Sequence, residues 1–141
     1  MSTSNHIDRF KTLQELEGED WGDPETAETP MIGRVLALRR KPLHTLSDGE
    51  VRLAIGQKVS LPYLLELAIE RLRLDPLIEG DYYPGDVLSA LVHLDEEDWH
   101  GKDDLRAELT KLFRKAMKQS TDDAQAFRKS LELPPNGHRM N

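Results

Sequence analysis

Three carboxylates in one short stretch come nearest to chemistry: Glu79, Asp81 and Asp86 in Glu79-Gly80-Asp81-Tyr82-Tyr83-Pro84-Gly85-Asp86. Paired carboxylates do general acid–base work when their surroundings push their pKa values apart. Asp81 with Asp86, or Glu79 with Asp81, could form such a pair, but the stretch holds no histidine to act as a second group. A solvated acidic turn explains the same residues. Clustered Asp and Gly also suggest calcium, yet the alternating Asp/Asn ligands and the closing Glu of an EF-hand are missing. His6, His44, His93, His100 and His138 are scattered, without an HExxH spacing or a companion cysteine, which argues against zinc. Glycine signatures of phosphate loops, dinucleotide folds and serine hydrolases do not occur. The expectation is a binding protein and not an enzyme, with no catalytic residue, cofactor or metal.

Composition narrows the partner. The 141 residues make one domain the economical reading, and the net charge of −7, from 26 acidic and 19 basic side chains, disfavours direct contact with nucleic acid. An acidic surface serves solubility in any soluble protein, and it also complements a basic partner. No apolar run is long enough to span a membrane, no secretory signal is visible at the N-terminus, and there is no cysteine, so a cytoplasmic protein is expected.

The elements around the acidic stretch read as helices. Residues 1–10 suggest a flexible end, 11–132 a helical domain and 133–141 a flexible tail. Lys11–Gly18 can make a short helix, stopped by Gly18. Glu19–Thr29 is an acidic loop, with Trp21 expected to anchor it to the core. Thr29-Pro30 opens a helix whose apolar face takes Met31, Ile32, Val35, Leu36 and Leu38. Arg39-Arg40-Lys41 ends it with cations that suit the carbonyl end of the dipole and could also bind anions. Ser47-Asp48-Gly49-Glu50 is a capping box, with Leu46 and Val51 placed for a hydrophobic staple. Ser60 should cap the next helix, where Leu61, Leu64, Leu65, Ala68, Ile69 and Leu72, widened by Leu67 and Leu74, form the strongest amphipathic pattern. Pro84 should open another, with Val87, Leu88, Leu91 and Leu94 inward. Asp103–Met117 and Asp122–Leu131, capped by Ser120, complete the set, the latter turning Ala126 and Phe127 inward. No useful strand alternation occurs. The predicted fold is all-α, a compact single-domain array of short helices.

Several segments carry a resemblance: Glu19-Asp-Trp-Gly-Asp-Pro24, Ala37-Leu-Arg-Arg-Lys-Pro-Leu43, Glu50-Val-Arg52, Ile55-Gly-Gln57, Pro76–Leu88 and Trp99-His100. In this order, over Leu13 to His100, the chain resembles the helical immunity proteins of bacterial contact-dependent growth inhibition systems, whose hallmark is similar to EGD-aromatic-YPGD-LL. Tyr83, Pro84, Gly85 and Asp86 match it, and Val87 departs from the usual leucine. The resemblance implies a cytoplasmic antidote that binds the C-terminal toxin domain of an effector and occludes its active site. The toxin of this family is in some cases a ribonuclease. A basic, phosphate-binding toxin cleft would suit an acidic plug. A helical adaptor or regulatory subunit unrelated to any toxin is the alternative.

The expected toxin contacts are Glu79, Asp81, Tyr82 and Asp86, with Asp95, Glu96, Glu97, Asp98 and Trp99 as a second, nearby acidic and aromatic patch, on a protein that is monomeric before binding. The competing reading makes Tyr83, Pro84 and Gly85 turn and core residues and Asp86 the cap of the following helix.

Overall fold

The structure, a computed structural model, describes residues 7–119 and 122–132. Helix starts follow local chemistry. Thr12 and Glu15 form a reciprocal capping box for α1 (Leu13–Glu17), which Gly18 closes in the left-handed conformation at φ 67°. In α2 (Pro30–Leu38) the Thr29 hydroxyl accepts from the Ile32 N–H at 3.1 Å and Pro30 takes the first position, where no N–H is missed. In α3 (Asp48–Gly56) the Ser47 hydroxyl accepts from the Glu50 N–H at 3.1 Å, and the Glu50 carboxylate accepts from the Ser47 N–H at 2.8 Å. The remaining helices are α4 (Leu61–Leu74), α5 (Asp86–Val92), α6 (Asp103–Met117) and α7 (Asp122–Ser130). Among the described residues there is no strand, so the all-α expectation holds. The Ser120 cap and the 133–141 tail lie outside the described residues.

α4 is the centre, as its pattern predicts. Leu64, Leu65, Ala68, Ile69 and Leu72 are fully buried, and α3, α5 and α6 pack around it. Each buried leucine or isoleucine contributes ~1.5–3 kcal/mol of transfer free energy. α3 adds Val51, Ala54 and Ile55, α5 adds Val87, Leu88 and Leu91, and Phe127 of α7 meets the ring of Phe113 edge-on with centroids 5.8 Å apart. Residues 7–10, read from the sequence as part of a free end, lie against α4: the Arg9 guanidinium pairs with Glu70 and its carbonyl accepts from the His44 N–H at 3.0 Å.

Several expectations are corrected. Leu74, placed on the apolar face of α4, is 86% exposed because the helix ends there, beyond the packed body. Met31 and Ile32 are exposed too. Ser60 occupies the cap position of α4 but in the left-handed region (φ 51°), and its hydroxyl turns to Glu17 at 2.9 Å and Arg39 at 3.2 Å instead of capping. Trp21 lies outside the core: its ring stacks under the Arg39 guanidinium, 3.8 Å from carbon to centroid, and stays half-exposed.

The basic triplet is neither a free cationic helix end nor an anion site. Arg39, 1% exposed, pairs with Glu17 and donates to the Glu19 carbonyl at 2.8 Å. Arg40 holds Asp20 at 3.1 Å and the Gly22 carbonyl at 3.0 Å, and Lys41 holds both oxygens of Glu50 at 2.9 Å. These cations strap the acidic N-terminal segment and the start of α3 to the end of α2.

Burial alone would raise the Glu50 carboxyl, but the bonds from Lys41 and the Ser47 N–H outweigh it and hold it below its ordinary 4.5. A carboxyl lowered in the folded state binds fewer protons there than in the unfolded chain. Its contribution is therefore complete above 4.5 and is lost as pH falls through the lower folded value. Glu50→Gln keeps the capping shape and removes the charge. It should cost about 1 kcal/mol near neutrality, and the gap to wild type should close between about pH 5 and pH 3 in urea titrations.

Candidate functional site

The loop from Glu79 to Asp86 joins α4 to α5 by way of buried Leu77. It closes on itself: the Gly85 N–H donates to the carbonyls of Leu77 at 3.0 Å and Ile78 at 3.2 Å, and Glu79 bridges antiparallel to Pro84. Gly85 stands at φ 87°, where a side chain is strained, and a β-carbon there would lie 2.9 Å from the Phe127 ring. Glycine is required twice over, by backbone and by space. Pro84 therefore does not open the helix, as expected from sequence. α5 starts at Asp86, with left-handed Gly85 as its cap residue.

Asp86 is 1% exposed. Its carboxylate reaches back across the loop and accepts the backbone N–H groups of Gly80 at 2.6 Å, Asp81 at 3.0 Å and Tyr82 at 2.9 Å. Successive amides turned inward make an anion-binding concavity, here filled by the chain's own carboxylate. The residue expected either to touch a partner or to cap α5 does neither. It holds the shape of the loop, and its own oxygens are out of a partner's reach.

What the loop exposes is set by its seat on α3. A β-carbon at Gly49 would fall 2.1 Å from the Asp81 carboxylate, so only glycine lets the loop approach. The Arg52 guanidinium lies 4.7 Å from the centroid of Tyr82, and Arg34 of α2 pairs with Asp81 at 3.1 Å. Glu79, Asp81 and Tyr82 are exposed, and Tyr83 and Pro84 are half-buried. Arg34, Gly49 and Arg52 escaped the sequence reading, because Arg34 and Asp81 are 47 positions apart and no local pattern links them.

The second expected patch is an acidic turn, Asp95–Trp99. The Asp95 N–H donates to the Asp98 carboxylate at 2.8 Å, and the Lys58 ammonium binds Asp95 at 2.9 Å and Asp98 at 3.0 Å. Those bonds raise the Lys58 pKa. Lys58 is itself left-handed, at φ 56°. Glu96 and Glu97 are exposed, whereas Trp99 is 2% exposed and belongs to the core. The turn borders a shallow open groove of about 830 Å³ whose lining includes His100, Asp103 and Arg106. The two patches are not one surface. The loop sits on the first turn of α3, and Lys58 follows its last turn, so a helix length of roughly 13 Å divides them. Among the described residues no three His, Cys, Asp or Glu side chains are placed to hold a metal ion.

The molecule is thus an all-helical domain whose polar groups are turned largely inward, leaving a rigid acidic and aromatic loop in view. The family model for CDI immunity proteins matches residues 15–109, and the chain belongs to that family. It is an immunity protein against a toxin of contact-dependent growth inhibition. No curated protein and no solved structure matches the chain. Most of α6 and all of α7 lie beyond the matched residues, yet α7 supplies the ring that covers Gly85.

Replacing Asp86 by Asn removes the charge and turns an N–H donor towards three donors. We expect a loss of ~2–4 kcal/mol, with faster hydrogen exchange at the Gly80, Asp81 and Tyr82 amides. Gly85→Ala should cost ~2 kcal/mol or more, and in a Phe127→Ala background the added loss should shrink to its backbone part in a double-mutant cycle.

Proposed function

We propose that the protein neutralises its toxin by seating Glu79, Asp81 and Tyr82 in a basic active-site cleft, which the loop then blocks. The observation that carries this reading is the locked loop. Asp86 from within and Arg34 and Arg52 from beside it fix an exposed acid and an exposed aromatic ring before any partner arrives. Binding by a preformed surface avoids the entropy of ordering a loop, and Tyr residues supply binding energy out of proportion to their area. A net charge of −7 favours a basic partner and fast encounter. A nuclease, whose cleft must hold phosphate, is the toxin class that fits. Asp95, Glu96 and Glu97 form a second acidic contact or steering patch, while Asp86, Asp98 and Trp99 act as internal supports. The protein works as a cytoplasmic monomer, and no helix among the described residues is long and apolar enough to cross a membrane.

The test uses calorimetry with the toxin domain encoded beside this gene, made catalytically inactive. Nanomolar affinity that falls with added salt is expected. Asp81→Lys and Tyr82→Ala, both at exposed positions, should each weaken it about 10- to 100-fold while leaving the melting curve near wild type. Binding that survives both changes moves the interface elsewhere. No binding at low salt by the folded protein removes this toxin as its partner.

A further inference from the structure

The apolar face of α2 runs past the end of the domain that covers it. Seven residues make about two helical turns, so Met31 lies in line with Leu38, and Ile32 in line with Arg39. Leu38 and Arg39 are 0% and 1% exposed, whereas Met31 and Ile32 are 47% and 42% exposed. The core is spent before it reaches the first turn of the helix. Two other exposed apolar residues have simpler accounts. Phe10 leans on the His44 ring at a centroid distance of 4.8 Å, and Leu74 stands singly at the end of α4. Isolated exposed hydrophobes need no partner. Met31 and Ile32 are adjacent, and the next turn of the same helix carries Arg34, whose guanidinium is bound to Asp81 beside the half-exposed Tyr82.

The charges around this turn are one-sided. From Glu19 to Glu28 the chain has five acidic residues and no basic one, and Arg34 is the only basic residue between Lys11 and Arg39. Arg34 is already bound to Asp81. The acidic segment folds back along α2: Arg40 holds Asp20 and Gly22 at one end, and Pro24 and Ala27 lie within 3.6 Å of a β-carbon position on Gly33 at the other. Glu25 and Glu28 are exposed near the start of α2, and Glu79 and Asp81 are exposed on the loop beside Arg34. An apolar pair bordered by acids on two sides has the layout of an interface centre with a charged rim.

We propose that the first turn of α2 is the apolar anchor of the toxin interface. Met31 and Ile32 enter an apolar hollow on the toxin domain bordered by Lys and Arg, which meet Glu25 and Glu28 on one side and Glu79 and Asp81 on the other. This rests on the toxin-binding reading above and extends that surface from the loop onto α2. The anchor supplies affinity through desolvation, and the acidic rim supplies orientation and encounter rate.

The experiment measures binding kinetics of the full chain on the inactive toxin domain encoded beside this gene. The variants are a Met31→Glu/Ile32→Glu double change and, separately, Glu28→Lys. Acids suit the first turn of a helix and both positions are exposed, so the double variant keeps its fold. We expect it to lose at least about 30-fold in affinity, chiefly through faster dissociation, while Glu28→Lys slows association and flattens the salt dependence. Wild-type binding that the double change leaves intact overturns this proposal and spares the toxin reading. Absence of wild-type binding sinks both. Light scattering that shows a wild-type dimer, made monomeric by the double change, reassigns the face to a second copy of the chain. A fall of several degrees in melting temperature at unchanged affinity means that the chain itself covers the turn; either result overturns the proposal.

Discussion

A carboxylate shut away from water is stable only when its oxygens are filled, and Asp86 fills its own with the three amides of Gly80, Asp81 and Tyr82. That constraint sets the path of the loop between the central helix and α5. With the amides turned in, the Asp81 and Tyr82 side chains turn out, and Arg34 and Arg52 hold them from neighbouring helices. The glycines follow from the same arrangement. Gly49 lets the loop reach α3, and Gly85 gives the left-handed turn under Phe127. One buried charge therefore accounts for a conformation, two glycines and the exposed face.

The rest of the polar surface is spent largely on internal ties. Arg39, Arg40 and Lys41 strap the acidic N-terminal segment, Lys58 neutralises one acidic turn, and Arg73 binds both oxygens of Glu108 at 2.5 and 2.7 Å across α4 and α6. The surplus negative charge is concentrated where these ties leave acids exposed, around the loop, along Glu19–Glu28 and at Glu96 and Glu97. Such a distribution suits a protein whose task is to meet a basic partner quickly and without rearrangement.

Reading the chain alone succeeded where the physics is local. Thr29-Pro30, the Ser47–Glu50 box and the Gly18 stop are decided within one turn of helix, and the leucine spacing of α4 marks its buried face without reference to anything else. It failed where a local preference met a distant partner. Ser60 is a good cap by type, but Glu17 and Arg39 draw off its hydroxyl. The apolar pattern of α2 correctly indicates a helix and says nothing of how far the core extends along it. Trp21 reads as a core anchor until Arg39 is seen stacked upon it.

Helix identity, the absence of strand alternation and the importance of the 79–86 stretch are written in residue order, because capping, periodicity and glycine conformation act over a few positions. Which acids face outward was decided only by folding. Asp81 and Asp86 are chemically the same and five residues apart; one is exposed beside an arginine and the other is enclosed by amides. That difference comes from where α2, α3 and α7 place Arg34, Gly49 and Phe127 around the loop, and contacts across such sequence distances exist only once the helices have packed.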